Sequence, residues 1–138
     1  MPPGSTAVTE AARTKSEIRT ERVTNRLLDA ASKFFMERGF EATSIGEIAS
    51  YARASKETFY RHFPRKEDLF IAVVARGAKM VAAELSAVLL SHERPEKALA
   101  AFGELFLDRV LSVDSIAFHR VVAMERERFP ELMQTLKA

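Results

Sequence analysis

The 138-residue chain contains no cysteine and no tryptophan, and only five glycines and five prolines. Lack of cysteine excludes disulfides, thiolate metal sites and cysteine nucleophiles, and the low glycine and proline content excludes collagen-like and proline-rich chains. No apolar run approaches the roughly 18 residues of a membrane-spanning helix. The first residues also lack the charged region followed by an apolar region that is typical of a secretory signal. We therefore expect a soluble, cytoplasmic protein with no membrane partner.

The composition favours a folded domain whose two halves differ in charge. Hydrophobic residues make up 47% of the chain and charged residues 29%, which is enough to build a core and a polar surface. Residues 1–66 carry twelve Lys/Arg against eight Asp/Glu, a net +4, whereas residues 67–138 carry nine against eleven, a net −2. The basic first half indicates an anionic partner for that part of the chain.

Apolar residues recur at helical spacing and no segment alternates, so the predicted fold class is all-α. Residues 1–15 lack this periodicity and are predicted to be a disordered arm. A first helix is predicted at 16–38, with a capping box formed by Thr14 and Glu17 and a left-handed end at Gly39. Further helices are predicted at 66–90, from Pro95, and from Asp114 or Ser115, followed by a short turn that contains Leu132, Met133 and Leu136.

Two short helices near the centre of the chain have the outline of a helix-turn-helix. Ser44 with Glu47 predicts the start of one helix, Ser55 caps the next at about 56–62, and a three-residue turn joins them. Lysine, arginine and histidine crowd the second helix and its flanks, where the only acid is Glu57. Such a surface binds phosphates, and its polar side chains also reach base edges. A solvated basic face is the alternative interpretation.

The segments LDAASKFFMERGFEATSIGEIA (28–49) and ASKETFYRHFPRKEDL (54–69) resemble the DNA-binding domain of the TetR family of bacterial transcriptional regulators. The resemblance implies a three-helix DNA-binding head at 16–66, followed by a partial helical ligand-binding and dimerisation domain at 67–138. It further implies a homodimer that binds double-stranded DNA at a palindromic operator and is released by a small effector.

The resemblance places most of the candidate DNA-binding residues on and around the second short helix. Two further candidates, Arg53 and Ser55, lie in the turn before this helix. For Tyr60, packing between the helices is the alternative to a contact with DNA. The candidate DNA-binding residues are Thr43, Ser44, Arg53, Ser55, Lys56, Thr58, Tyr60, Arg61, His62 and Lys66.

Four positions depart from the family's pattern. Arg53 stands where the family usually has glycine, so its backbone is strained if the position requires a positive φ, and an added phosphate contact is the alternative interpretation. Glu57 also replaces a usual glycine and brings a carboxylate towards the DNA. Gly46 replaces a polar side chain that often contacts DNA, and Arg65 stands where the fourth helix usually has a capping serine.

The segment FHRVVAMERERFPEL (118–132) is similar to the family's C-terminal domain. Family members usually continue with helices that form the dimer interface, so the regulatory domain is expected to be truncated. Phe102, Phe106, Phe118 and Val122 are candidates for a pocket that binds a small apolar effector, and burial in the core is the alternative.

The favoured function is a sequence-specific DNA-binding regulator, an effector-released repressor. The alternative is a helical protein-interaction module that keeps the fold without binding an operator. No phosphate-binding loop, zinc motif or nucleophile motif occurs, so the prediction is no enzyme, no cofactor and no metal. His92 and His119 have no ligand partner at metal-binding spacing.

Overall fold

The computed structural model describes residues 14–131 and Gln134, and over these residues it is built from α-helices without strands. The helices are α1 (Lys15–Arg38), α2 (Ile45–Tyr51), α3 (Lys56–His62), α4 (Lys66–Leu90), α5 (Pro95–Leu111) and α6 (Val113–Glu125). The all-α prediction is confirmed. Residues 1–13 of the predicted arm lie outside the described residues, as does the predicted turn at Leu132, Met133 and Leu136. Lys15, the last residue of the predicted arm, belongs to α1, which begins one residue earlier than predicted because Thr14 is its N-cap.

Helix α1 begins and ends where its sequence signals predict. Thr14 and Glu17 form the reciprocal capping box, in which each side chain accepts a backbone N–H of the other residue. At the other end Gly39 has φ 82° and ψ 175°, and its N–H donates to the carbonyl of Phe35. The sign of φ was predicted, but ψ lies outside the left-handed helical region, in a conformation almost restricted to glycine.

Helices α2 and α3 are joined by a tight turn that requires an unusual backbone. Ser44 and Ser55 cap the two helices as predicted, each accepting a backbone N–H three residues on. In the turn, Arg53 adopts φ 55°, the only positive φ at a non-glycine among the described residues. The amide of Ala54 then donates to the carbonyl of Ala49 at 2.8 Å, which closes the turn. The predicted strain at Arg53 is therefore present.

Helix α4 starts without a side-chain cap, as its sequence predicts. Arg65 makes no capping hydrogen bond and instead donates twice to the carboxylate of Asp68. These hydrogen bonds hold the pKa of Asp68 below its ordinary value. Helix α5 begins at Pro95 as predicted, and α6 begins at Val113, slightly before the predicted start, because Ser112 is its N-cap.

The core lies where α1 meets α4, the loop after α1, and the end of α6. Four phenylalanine rings pack around one another there, with Phe40 in contact with the rings of Phe35, Phe70 and Phe129 at centroid distances of 5.0–5.7 Å. Phe129 follows α6, so the last part of the described chain packs against the loop that leads into α2. The first half of α4 belongs to the same core as α1, across the predicted boundary at 66/67.

Much of the apolar surface of α5 and α6 is exposed. Ala98 is the only buried side chain of α5, whereas Leu99 is 69% exposed and Phe106 45% exposed. On α6, Ile116 and Met124 are exposed as well. Helical spacing identifies an apolar face without identifying what covers it, so the spacing alone does not decide the burial of these side chains. Over the described residues, no helix combines the length and hydropathy needed to span a bilayer.

The backbone of Arg53 provides a test of stored strain. Arg53→Gly is expected to raise the free energy of unfolding by about 0.5–1 kcal/mol, because relief of the left-handed conformation outweighs the added chain entropy. Urea denaturation measures this, with Arg53→Ala as the control that removes the charge and keeps the Cβ. Equal stability of the glycine and alanine variants would contradict the strain.

Candidate nucleic-acid interface

A basic groove runs between the first half of α1 and α3, with a volume of about 1080 Å³. We call it the α1–α3 groove. It contains no aspartate or glutamate among its lining residues. Its cationic lining residues are Lys15, Arg19, Arg22, Arg26, Arg53 and Arg61, and His62 lines it as well. This concentration of positive charge in a concave surface is suited to a polyanion.

One wall of the groove is a cationic stripe along α1. Lys15, Arg19, Arg22 and Arg26 are spaced by four, three and four residues, which places them on one face of a helix. Arg22 and Arg26 were not among the predicted DNA-binding residues. Their spacing was readable from the sequence, but only the packing of α3 beside α1 shows that the stripe and the second short helix share a groove.

The other wall is α3, whose burial pattern separates a core side from a solvent side. Phe59 is fully buried, whereas Lys56, Tyr60 and Arg61 are exposed. Tyr60 is half exposed, and its ring lies edge-on to Phe59 with a centroid distance of 5.5 Å. Arg61 lies 3.4 Å from the carboxylate of Glu57, one turn earlier in the helix. Because both side chains are exposed, this ion pair contributes little free energy, and Arg61 can leave it for another partner.

Ser55 and Thr58 meet at the beginning of α3. Their hydroxyl oxygens are 2.9 Å apart, and Ser55 also accepts the backbone N–H of Thr58. Both residues line the α1–α3 groove, beside Arg53. Capping thus occupies Ser55, while Thr58 places a hydroxyl on the groove wall.

His62 is fixed by a hydrogen bond that joins α3 to α1. Its Nδ1 lies 3.0 Å from the hydroxyl of Thr24, which itself donates to the carbonyl of Thr20 at 3.0 Å. Because a hydroxyl has one proton, the network assigns the donor role in the first bond to Nδ1–H of His62. The ring nitrogen Nε2 then remains for another partner.

Thr43 and Ser44 are placed differently, although they are neighbours in the sequence. Thr43 is 1% exposed and its hydroxyl donates to the carbonyl of Gly39, so the structure does not bring its side chain to the surface. Ser44 is exposed and forms the capping box with Glu47. A hydrogen bond from Arg38, followed by those from Ser44, holds the pKa of Glu47 below its ordinary value.

Lys66 ties α4 to the loop between α1 and α2. Its ammonium donates to the carbonyls of Phe40 and Thr43 at 2.9 and 3.0 Å, and it lies 4.2 Å from the centre of the Phe40 ring. Two of its three protons are thus used inside the protein. A phosphate contact by the third proton stays a prediction.

The candidate effector residues differ in their burial and in their neighbours. Val122 is buried in the core and Phe118 packs against it, near Gly77. Phe102 and Phe106 stack on each other along α5 with centroids 6.2 Å apart. Among the described residues, no group of three or more histidine, aspartate or glutamate side chains is arranged to hold a metal ion.

The bonds of Lys66 predict a cost in stability when its charge is removed. Lys66→Met is expected to lower the free energy of unfolding by about 2 kcal/mol, because two hydrogen bonds to a charged donor are lost. The matched control is Lys79→Met on the exposed side of α4, where a change within about 0.5 kcal/mol is expected. Similar urea midpoints for the two variants would show that the Lys66 contacts contribute nothing.

Two family models match the chain. The model described as "Bacterial regulatory proteins, tetR family" matches residues 27–73, and that described as "AefR-like transcriptional repressor, C-terminal domain" matches residues 97–138. The first match contains α2, α3 and the turn between them, and ends within α4.

Named relatives agree with these matches. The chain is 36% identical over 83 residues to the transcriptional activator FasR of Mycolicibacterium smegmatis, covering 60% of this chain and 38% of that protein. It is 40% identical over 76 residues to the transcriptional repressor ComR of Escherichia coli, covering 54% and 36%. The chain thus spans little more than a third of the length of these two relatives.

The fold has a close structural counterpart in a TetR-family transcriptional regulator from Mesorhizobium loti. The two superpose with a TM-score of 0.79 at 28% sequence identity, over 85% of this chain and 59% of that one. The matched segments, the named relatives and the shared fold show that the chain belongs to the TetR family of bacterial transcriptional regulators.

Proposed function

We propose that the chain is a sequence-specific double-stranded DNA-binding regulator of transcription, acting as a repressor. The observation that carries this proposal is the α1–α3 groove, with its cationic lining and no lining carboxylate. The name of the family model that matches residues 97–138 supports repression rather than activation of transcription, and so does the relative ComR, which is a repressor. The relative FasR, by contrast, is an activator. The proposal assigns no catalytic role to any residue.

The two walls of the groove have different tasks in this proposal. The stripe on α1 contacts phosphates, which hold the protein on the duplex without reading sequence. Helix α3 enters the major groove, as the second helix of a helix-turn-helix does. Arg61 and Thr58 then reach base edges, while His62 and Tyr60 contact the backbone. Arg53 in the turn and Lys56 at the start of α3 add positive charge.

The exposed apolar surface of α5 and α6 supports a homodimer. Contiguous apolar surface of several hundred Å² usually marks a site of association, and a two-fold operator requires two copies of α3. We place release by a small apolar effector in this helical half, where Phe106 is exposed and Phe102 is partly exposed. Binding to the chromosome implies a cytoplasmic location.

Selection from a pool of random DNA duplexes, followed by sequencing, tests the function. The expected product is a two-fold symmetric sequence whose half-sites are about 10–10.5 base pairs apart, or a multiple of this. Absence of any enriched sequence, with binding that is equal for all duplexes, would contradict sequence-specific regulation. It would instead favour the protein-interaction module.

Substitutions on the two walls are expected to separate affinity from specificity. Arg61→Ala should reduce the preference for the selected duplex over a scrambled one, because one arginine–guanine contact contributes about 1–3 kcal/mol of discrimination. Arg26→Ala should weaken binding to both duplexes equally and make the salt dependence shallower by about one unit. Fluorescence anisotropy over a salt series measures both effects, and a parallel loss in the Arg61 variant would restrict that residue to an electrostatic role.

Self-association through α5 is expected from its exposed leucines. Leu107 and Leu111 are 57% and 68% exposed, so replacing both by glutamine should weaken the dimer at least tenfold. The control replaces the exposed Glu104 and Asp108 of the same helix by glutamine. Sedimentation at low micromolar concentration distinguishes the variants, and a purely monomeric unmodified chain would rule out this dimer.

A further inference from the structure

The side chain of Lys56 crosses the first turn of α2 at Gly46. A Cβ placed on Gly46 would lie 3.2 Å from Cε of Lys56 and 3.8 Å from its Nζ. The smaller of these distances is shorter than an ordinary van der Waals contact. The absence of a side chain at Gly46 therefore provides the space through which the lysine passes from α3 to α2.

Backbone conformation does not account for the glycine. Gly39 is the described glycine with a positive φ, whereas Gly46 is the second residue of α2. Glycine is less favourable than alanine in a helix because it loses more backbone freedom, by roughly 0.5–1 kcal/mol at interior positions. An alanine at this position would thus improve α2 while occupying the path of Lys56.

The ammonium of Lys56 has no carboxylate partner among residues 14–131 and Gln134. It forms none of the ion pairs or hydrogen bonds found there, although the acidic Glu57 follows it directly. A free lysine side chain loses rotational freedom when it binds a ligand, which weakens binding. In the structure the methylene chain of Lys56 already lies over Gly46, in space that a side chain there would occupy, so the ammonium is at the surface of α2 before a ligand binds.

We propose that Gly46 is a positioning residue that directs Lys56 towards the DNA. Because Gly46 has no side chain, the side chain of Lys56 from α3 covers this part of the surface of α2. This inference rests on the proposed function, because it requires that Lys56 contact DNA. It assigns the resulting positive charge to the face that α2 and α3 present jointly.

A double-substitution cycle on the full chain tests the proposal. Gly46→Ala is expected to raise the urea midpoint and yet weaken binding to the selected duplex about 3- to 10-fold, because the displaced lysine must be ordered on binding. A gain in stability together with a loss of affinity distinguishes a positioning role from a structural one, because a structural role would lower both. The same substitution in a Lys56→Met background should leave the affinity unchanged, and Gly46→Ala should also make the salt dependence shallower.

The matched control is Gly77→Ala in α4, where an added Cβ would lie 3.7 Å from the Phe118 ring, an ordinary van der Waals distance. This variant should be stabilised without any change in affinity. An equal loss of affinity from Gly46→Ala in both backgrounds, or no loss at all, would overturn the positioning role. Failure of the proposed function would appear separately, as absence of selective binding by the unmodified chain, and would overturn the inference with it.

Discussion

The packing of Phe40 against its neighbours is the interaction on which the rest of the structure depends. Its ring contacts Phe35 of α1, Phe70 of α4 and Phe129 beyond α6, so one side chain joins three separate parts of the chain. The cations of Lys66 and Arg128 lie near the same ring, and Arg128 also pairs with Glu41. Because aromatic contacts and cation–π contacts converge here, the loop before α2 is held from several sides.

This anchored loop determines where the basic surface forms. Ser44, a few residues after Phe40, starts α2, and the tight turn after α2 then sets the direction of α3. The bond between Thr24 and His62 holds the far end of α3 against α1. The groove therefore has walls that are fixed at both ends, which reduces the ordering needed when a rigid duplex binds.

Local signals in the sequence were sufficient to predict the helices, because caps, glycine ends and apolar spacing act within a few residues. Ser44, Ser55 and Pro95 begin helices as predicted, and the strain at Arg53 followed from its place in the turn. The inward direction of Thr43, the carbonyl partners of Lys66 and the exposure of Leu99 depend on segments distant in sequence. No local pattern contains that information, so these features were found only in the folded chain.

Arg53 combines a strained backbone with a charge in the α1–α3 groove. Every arginine codon differs from a glycine codon by a single base, so relief of the strain is always one mutation away. Selection for stability alone would favour that mutation, whereas selection for binding to an anion would oppose it. Residue 53 would therefore be an early position to change in any descendant of this chain that no longer had to bind a polyanion.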